Sequence, residues 1–220
     1  MTTVAQAVLF DLDGTILDTN ELIIQSFLHA LKGVAPEPFD REQIIPRMGL
    51  SLTEQLAWFS GRTDIEAYAE AYGKYYVRMH DDMVRPFPGV EETVRLLKQN
   101  GIKLGVVTTK RRPMTERALR MFDLYDQMDT IITLDEVEHA KPHPEPVLKA
   151  ISAIGTEPSL TCMVGDSPVD MEAARRAGAM PVGVSWSLKG DEVLRQAGAA
   201  HILDSMDQLL TLCGIEGADD

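Results

Sequence analysis

Residues 8–18 read VLFDLDGTILD, an apolar run that ends directly in Asp11, with Asp13 following after Leu12. Residues two apart in an extended chain point the same way. If extended geometry persists past Phe10, both carboxylates share one face. Two carboxylates that close raise each other's pKa unless a cation or strong donors compensate. Gly14 lets the backbone turn where a side chain would obstruct, and Thr15 adds a hydroxyl and an N–H. The pair therefore reads either as a surface turn built from turn-forming residues or as part of a metal site. Other segments favour the second reading. GVVTTK delivers Thr108 and Thr109 after an apolar run, and CMVGDSPVD delivers Asp166 and then Asp170. HAKPHPE places Lys141 before a proline able to open a helix. Mg²⁺ takes oxygen ligands and keeps several waters, so Asp11, Asp13 and Asp166 suit it. Asp170 is expected behind them, fixing a bound water or the lysine.

Such residues act together only if distant segments meet at one edge. AVLF, KLGVVT, TIIT, TCMVG and MPVGVS are short apolar runs, each followed by a longer helical pattern. This alternation predicts an α/β fold with a Rossmann-like parallel sheet covered by helices on both faces. Ligands bind such sheets at the carboxyl ends of the strands. Gly101 and Gly178 are expected to close helices before strands. The stretch 17–85 differs. NELIIQSFLHALKG and LTEQLAWFSG read as amphipathic helices ending in Gly33 and Gly61, and DIEAYAEAYGKYYVRMHDDM as a third with Asp64 as N-cap. Nothing there resembles a strand of the sheet, and Pro86 and Pro88 in VRPFPGV suit a stiff return connection. The expected division is a core of 1–16 and 86–220 with an all-helical insertion at 17–85. SMDQLLTLCGIEGADD is expected to form a final helix and an acidic tail.

Composition narrows the partners. A formal net charge of -13 disfavours attraction to nucleic acid or to an anionic membrane. No apolar run approaches the ~20 residues that span a bilayer. The N-terminus lacks a basic segment and its apolar stretch is cut short by Asp11, so no signal peptide is expected. Cys162 and Cys213 are too few and too far apart for a disulfide framework. A cytoplasmic protein is the expectation, and a small anionic substrate would need local positive charge to overcome the field of the whole molecule.

With DLDGT first, then Thr108, Lys141 and GDSPVD in that order, the chain resembles the haloacid dehalogenase (HAD) superfamily. The insertion after the first motif resembles that family's type 1 cap. The resemblance implies that Asp11 attacks phosphorus to give an aspartyl-phosphate. It implies that Asp13 protonates the leaving oxygen and then deprotonates water. It also implies Mg²⁺ held by the Asp11 carboxylate, the Asp13 backbone carbonyl and Asp166, with Thr108, its neighbour Thr109 and Lys141 around the phosphoryl group. These roles are physically coherent, since phosphoryl transfer needs positioning and charge neutralisation above all. A neutral Asp13 beside an ionised Asp11 is the divergence that close carboxylates favour.

Substrate choice is sought beyond the motifs. In TTKRRPM, Pro113 reads as the first residue of a helix, which sets Lys110, Arg111 and Arg112 at its N-terminus. Cations are unfavourable there unless an anion occupies the spot. Lys110 is the first candidate for contact with a leaving phosphate, joined by Arg47 and Lys189. His80 reads as a surface residue of its helix. His29, His139, His143 and His201 read as structural or solvent-facing, with no spacing that suggests a transition-metal site. DTNELIIQSFLHAL, LGVVTTK, AKPHPEPV and SWSLKG together resemble the PpaX-type bacterial inorganic pyrophosphatases, which implies pyrophosphate as substrate. Phosphoglycolate phosphatases share the architecture, and PFPGVEETVRLLKQNGIKLGVVT suits one equally. A sugar phosphomutase and a non-catalytic phosphate sensor are the remaining alternatives. The sensor would be attractive were Asp11 or Asp13 replaced, and both are present.

Overall fold

All five apolar runs form strands, because Val- and Ile-rich segments flanked by helical patterns are best buried on both faces of a sheet. The computed structural model describes residues 4–215. In chain order the elements are β1 (Ala7–Phe10), β2 (Leu17–Asp18), α1 (Asn20–Ala30), α2 (Arg41–Ile44), α3 (Leu52–Ser60), α4 (Glu66–Met83), β3 (Arg85–Pro86), α5 (Val90–Gln99) and β4 (Lys103–Val107). They continue with α6 (Arg112–Met121), β5 (Thr130–Ile132), α7 (Glu145–Ile154), β6 (Thr161–Gly165), α8 (Pro168–Ala177), β7 (Met180–Val184), α9 (Asp191–Gln196), β8 (His201–Leu203) and α10 (Gln208–Leu212).

Six strands pair in parallel in the order β5-β4-β1-β6-β7-β8. The expected α/β, Rossmann-like sheet is what the chain forms. Strand β1 lies between β4 and β6, and the chain fills first one side of it and then the other. Its carboxyl end is thus the switch point where an open α/β sheet binds ligands. Alternate side chains of β1 divide the core in two. Val8 and Phe10 pack with Val90, Val94 and Leu97 of α5, whereas Leu9 packs with Val147 and Ala150 of α7 and Ala173 and Ala174 of α8. The edge strand β8 escapes sequence reading because HIL is three residues long and lies outside any apolar run.

Between β1 and β4 the helices α1–α4 gather around an apolar cluster of their own, including Ile24, Phe27, Leu31, Ile44, Leu56 and Phe59. Phe27 meets Phe59 edge-on at 5.3 Å between ring centroids, an arrangement aromatic pairs prefer. Ser51 and Glu54 cap α3 reciprocally. Asp64 does not cap α4, for which Ile65 takes the N-cap position. The Asp64 carboxylate is engaged by Arg62 Nε and Nη2 at 2.9 and 2.6 Å instead. Helix α1 ends at Ala30, three residues short of Gly33. The two crossings between helical segment and sheet domain run side by side as the antiparallel ribbon β2–β3, with Leu17 opposite Pro86 and Asp18 opposite Arg85. That ribbon is too short to show in sequence. Among the described residues no helix is long and apolar enough to cross a membrane. The final helix is α10, while the acidic tail lies outside the described residues.

Candidate active site

The ladder of β1 extends one residue beyond Phe10, for the Asp11 N–H donates to the Val164 carbonyl at 2.8 Å. The backbone then turns. The Leu12 carbonyl accepts the N–H groups of Ile16 and Leu17 at 3.2 and 3.0 Å, and Gly14, at φ +79°, donates to the Leu17 carbonyl at 2.8 Å. The turn begins at Leu12, so the loop after β1, and not continued extension, brings Asp11 and Asp13 to one cavity. Each carboxylate has its own lysine. Lys141 Nζ donates to Asp11 Oδ1 at 2.8 Å, to Asp170 Oδ1 at 2.6 Å and to the Val107 carbonyl at 2.8 Å. Lys110 Nζ donates to Asp13 Oδ1 and Oδ2 at 2.7 and 2.6 Å and lies 4.7 Å from the Tyr76 ring centroid. These two pairs remove the repulsion that the motif presents on paper.

Both aspartates line a cavity of about 400 Å³, together with Thr108, Thr109, Lys110, Arg111 and Asp166 from the sheet domain. Its floor is short of positive charge. Burial pushes Asp11 up to about 8, against the pull of Lys141 and with Asp170 and Asp166 adding to the rise. Burial likewise raises Asp166, with Lys189 opposing. Burial works to lower Lys141, but Asp11 and Asp170 outweigh it and hold the ammonium firmly charged. Two buried carboxylates above their ordinary range signal that a cation would be accepted there.

The donor set fits a hard divalent ion. Oxygens of Asp11, Asp166 and Asp170 lie within 4.8 Å of one another. Asp170 is committed elsewhere, to Lys141 and, through Oδ2, to the Ser167 hydroxyl at 2.6 Å and the Ser167 N–H at 3.1 Å. Free ligand oxygens therefore remain on Asp11 and Asp166. Asn20 Oδ1 is buried nearby with no hydrogen-bond partner. A Cβ on Gly14 would sit 2.6 Å from Asp166 Oδ2 and 3.3 Å from Asn20 Oδ1, so a side chain at that glycine would fill the space they border.

The remaining candidates divide. Thr108 is buried in the cavity wall, its Oγ1 accepting the Lys110 N–H at 3.1 Å. Thr109 also lines the cavity, yet its hydroxyl donates to the Gly49 carbonyl at 3.1 Å, joining sheet domain to helical segment. Lys189 does not line the cavity and lies instead behind it, Nζ 3.5 Å from Asp166 Oδ2. Arg47 is not in the wall either. Its guanidinium stacks on exposed Trp58, 3.6 Å from the ring centroid, a contact that favours a planar cation over an aromatic face. Arg111 and Arg112 do flank the start of α6, but Arg112 is bound by Glu116 and Glu136. Pro142 does not open a helix, since α7 begins at Glu145 and Lys141 lies in the loop before it.

His80 is fully buried rather than surface-exposed. His139 and His143 come together, rings 4.6 Å apart beside Glu145, a proximity their spacing did not suggest. The Glu145 oxygens already accept the N–H groups of Glu138 and His139 and the Lys149 ammonium, which makes the cluster a hydrogen-bonded brace for the start of α7.

Against known proteins, the profile of the haloacid dehalogenase-like hydrolases matches residues 8–184. The chain belongs to that family. This haloacid dehalogenase-like hydrolase is 40% identical over 205 residues to the "Pyrophosphatase PpaX" of Bacillus mycoides strain KBAB4, covering 93% of this chain and 95% of the relative. The same identity and length hold for the protein of that name in Bacillus cereus strain AH820, of which 94% is covered. Among solved structures, a hydrolase from Pseudomonas syringae is similar at a TM-score of 0.83 and 27% identity, over 94% of this chain and 96% of that one. A protein titled a predicted phosphoglycolate phosphatase, from Haemophilus somnus 129PT, is similar at a TM-score of 0.84 and 25% identity, over 94% and 97%.

For a haloacid dehalogenase-like hydrolase the arrangement supplies a buried carboxylate with one free oxygen, a second carboxylate lining the same cavity and a lysine paired with each. Sequence reading missed Ser167, whose capping box with Asp170 was visible as the S-x-x-D spacing. It missed the loop after β7 as well, where Ser187 Oγ donates to the Asp166 carbonyl at 2.6 Å and Trp186 Nε1 to the Thr15 carbonyl at 3.2 Å. Nothing in SWSLKG announces contacts with residues more than twenty positions away.

Proposed function

We propose that the chain hydrolyses inorganic pyrophosphate in a Mg²⁺-dependent reaction through an aspartyl-phosphate on Asp11. In this reading residues 17–85 act as a type 1 cap over a core of 1–16 and 86–220. The observation that carries it is the free oxygen of Asp11 on the cavity floor, flanked by Lys141 and Asp166. The pyrophosphatase relatives support pyrophosphate as the substrate.

The Asp11 carboxylate, the Asp13 backbone carbonyl and Asp166 would hold Mg²⁺, consistent with the charge deficit of the floor. When bound, Mg²⁺ supplies the positive charge that lets an anionic nucleophile approach an anionic phosphate. Asp170 and the Val107 carbonyl hold Lys141 against Asp11, ready to bind a phosphoryl oxygen. Thr108 donates to the same group. Lys110 is drawn from Asp13 by the incoming anion, which frees the Asp13 carboxyl to carry the proton. Asp13 passes that proton to the leaving phosphate and takes one from the water that attacks phosphorus next. The cap keeps bulk water from the intermediate. A cytoplasmic setting is supported by the two cysteines, both buried and unpaired.

The test is phosphate release from pyrophosphate, phosphoglycolate and several sugar phosphates, compared as kcat/KM with Mg²⁺ and after EDTA. Pyrophosphate should be the best of these substrates and EDTA should abolish turnover. Asp11→Asn should lower kcat by at least about 10³-fold with the fold intact. A wild-type rate in that variant would remove the nucleophile. A higher kcat/KM for phosphoglycolate would transfer the assignment to the second reading, which the Haemophilus somnus similarity favours.

A further inference from the structure

The helical segment between β2 and β3 supplies more than half of the residues lining the cavity, and none of them carries a charge. A wall of this kind adds no positive charge for a leaving phosphate. The only cations in the lining are Lys110, paired with Asp13, and Arg111, whose side chain is 76% exposed. What the wall does offer is apolar and aromatic. Tyr72 and Tyr76 stack one turn apart on α4, ring centroids 5.8 Å from each other. Met48, Leu50 and Leu52 join them from the segment around the start of α3, and Met114 from α6. At about 400 Å³ the cavity falls in the range that encloses organic ligands of moderate size. Tyr76 and Gln55 belong to the lining as well, although the Tyr76 hydroxyl and Gln55 Oε1 are themselves buried away from it.

We propose that the enzyme also hydrolyses phosphomonoesters of aromatic or apolar alcohols, the ring lying against Tyr72, Tyr76 and Met114. The proposal rests on the Asp11 phosphoryl chemistry set out above and not on pyrophosphate as substrate. In the first step an Asp11 oxygen bonds to phosphorus and the ester P–O bond breaks, its electron pair going to the alcohol oxygen, which takes the Asp13 proton. In the second, water bonds to phosphorus, its proton passes to Asp13, and the bond to Asp11 breaks. The sum is ester plus water giving alcohol plus inorganic phosphate.

Benzyl phosphate and ethyl phosphate test this, because their alcohols are of similar acidity and differ chiefly in apolar surface. Burial of the ring predicts a kcat/KM about 10- to 100-fold higher for the benzyl ester. In Met114→Gln the benzyl-to-ethyl ratio should fall several-fold, with the ethyl ester serving as the internal reference. Equal kcat/KM for the two esters overturns the proposal in the unaltered enzyme, whatever the variant does. An unchanged ratio in folded Met114→Gln removes the ring from its proposed seat. Pyrophosphate is assayed alongside. A strong benzyl preference without pyrophosphate turnover supports this proposal and sinks the pyrophosphate reading, whereas pyrophosphate turnover without the preference does the reverse.

Discussion

Lys141 satisfies two buried carboxylates and a backbone carbonyl at once, and each of its partners comes from a different strand end or helix start. Its removal would strand Asp11 and Asp170 in a low-dielectric interior. Breaking a buried pair from one side costs about 3–5 kcal/mol, because the abandoned charge is not resolvated. Lys141→Met should therefore lower unfolding free energy by about that amount, read as a shift of the urea midpoint with unchanged slope. A loss below about 1 kcal/mol would mean that the lysine is dispensable to the fold and present for chemistry alone. Lys110 differs in kind. It holds Asp13 at the cavity edge over the Tyr76 ring, on a side chain that retains some exposure. Sequence reading singled out Lys110 for its place beside the second motif but could not supply its partner Asp13, which lies 97 residues away.

Among the elements, α4 ties the helical segment to the sheet domain through its last turns. His80 Nδ1 lies 2.7 Å from Asp81 Oδ1, and Asp81 Oδ2 accepts Arg117 Nη2 of α6 at 2.8 Å. His80 Nε2 is buried with no partner. Burial lowers the His80 pKa, Asp81 opposes, and the nearby Lys110 and Arg117 add to the fall; the Tyr76 ring covers another side. The unfolded chain protonates at the ordinary value of 6.5 while the folded chain resists, so the stabilisation is full above that pH and lost as pH falls through the folded pKa. His80→Gln should flatten the decline of stability between about pH 7 and pH 5, measured by urea midpoints across the range. An equally steep decline in the variant would assign the acid sensitivity to other groups. A histidine flanked by Met, Asp and Asp in RMHDD reads as solvent-facing, and only the packing of α4 on its neighbours buries it.

For the whole molecule, two thiols and a strongly negative charge set the outward behaviour. Burial pushes Cys162 up to about 12 and Cys213 up to about 11, with Cys213 adding to the rise at Cys162. Thiolate is the reactive form. The folded protein should thus give no fast reaction with a disulfide-forming thiol reagent near pH 8, and both cysteines should react once urea unfolds it. A fast-reacting thiol in the native protein would show that one of these cores opens on the timescale of the assay.

Much was legible because it rests on local rules. Strand-sized apolar runs, glycines that end helices and carboxylates placed just after strands follow from residue period and backbone geometry, and they point to a parallel sheet with a site at its carboxyl edge. The helices between β2 and β3 were readable from their helical periods, whereas of the caps expected there only Gly61 holds, because Arg62 engages Asp64 and α1 ends before Gly33. Pairings across large sequence separations were not. Asp13 with Lys110, Arg47 on Trp58, Lys189 behind Asp166 and the uncharged wall over the cavity arise where independent elements meet. Local propensity carries no record of which side chains another element will press against them; packing three segments around one strand end settles that.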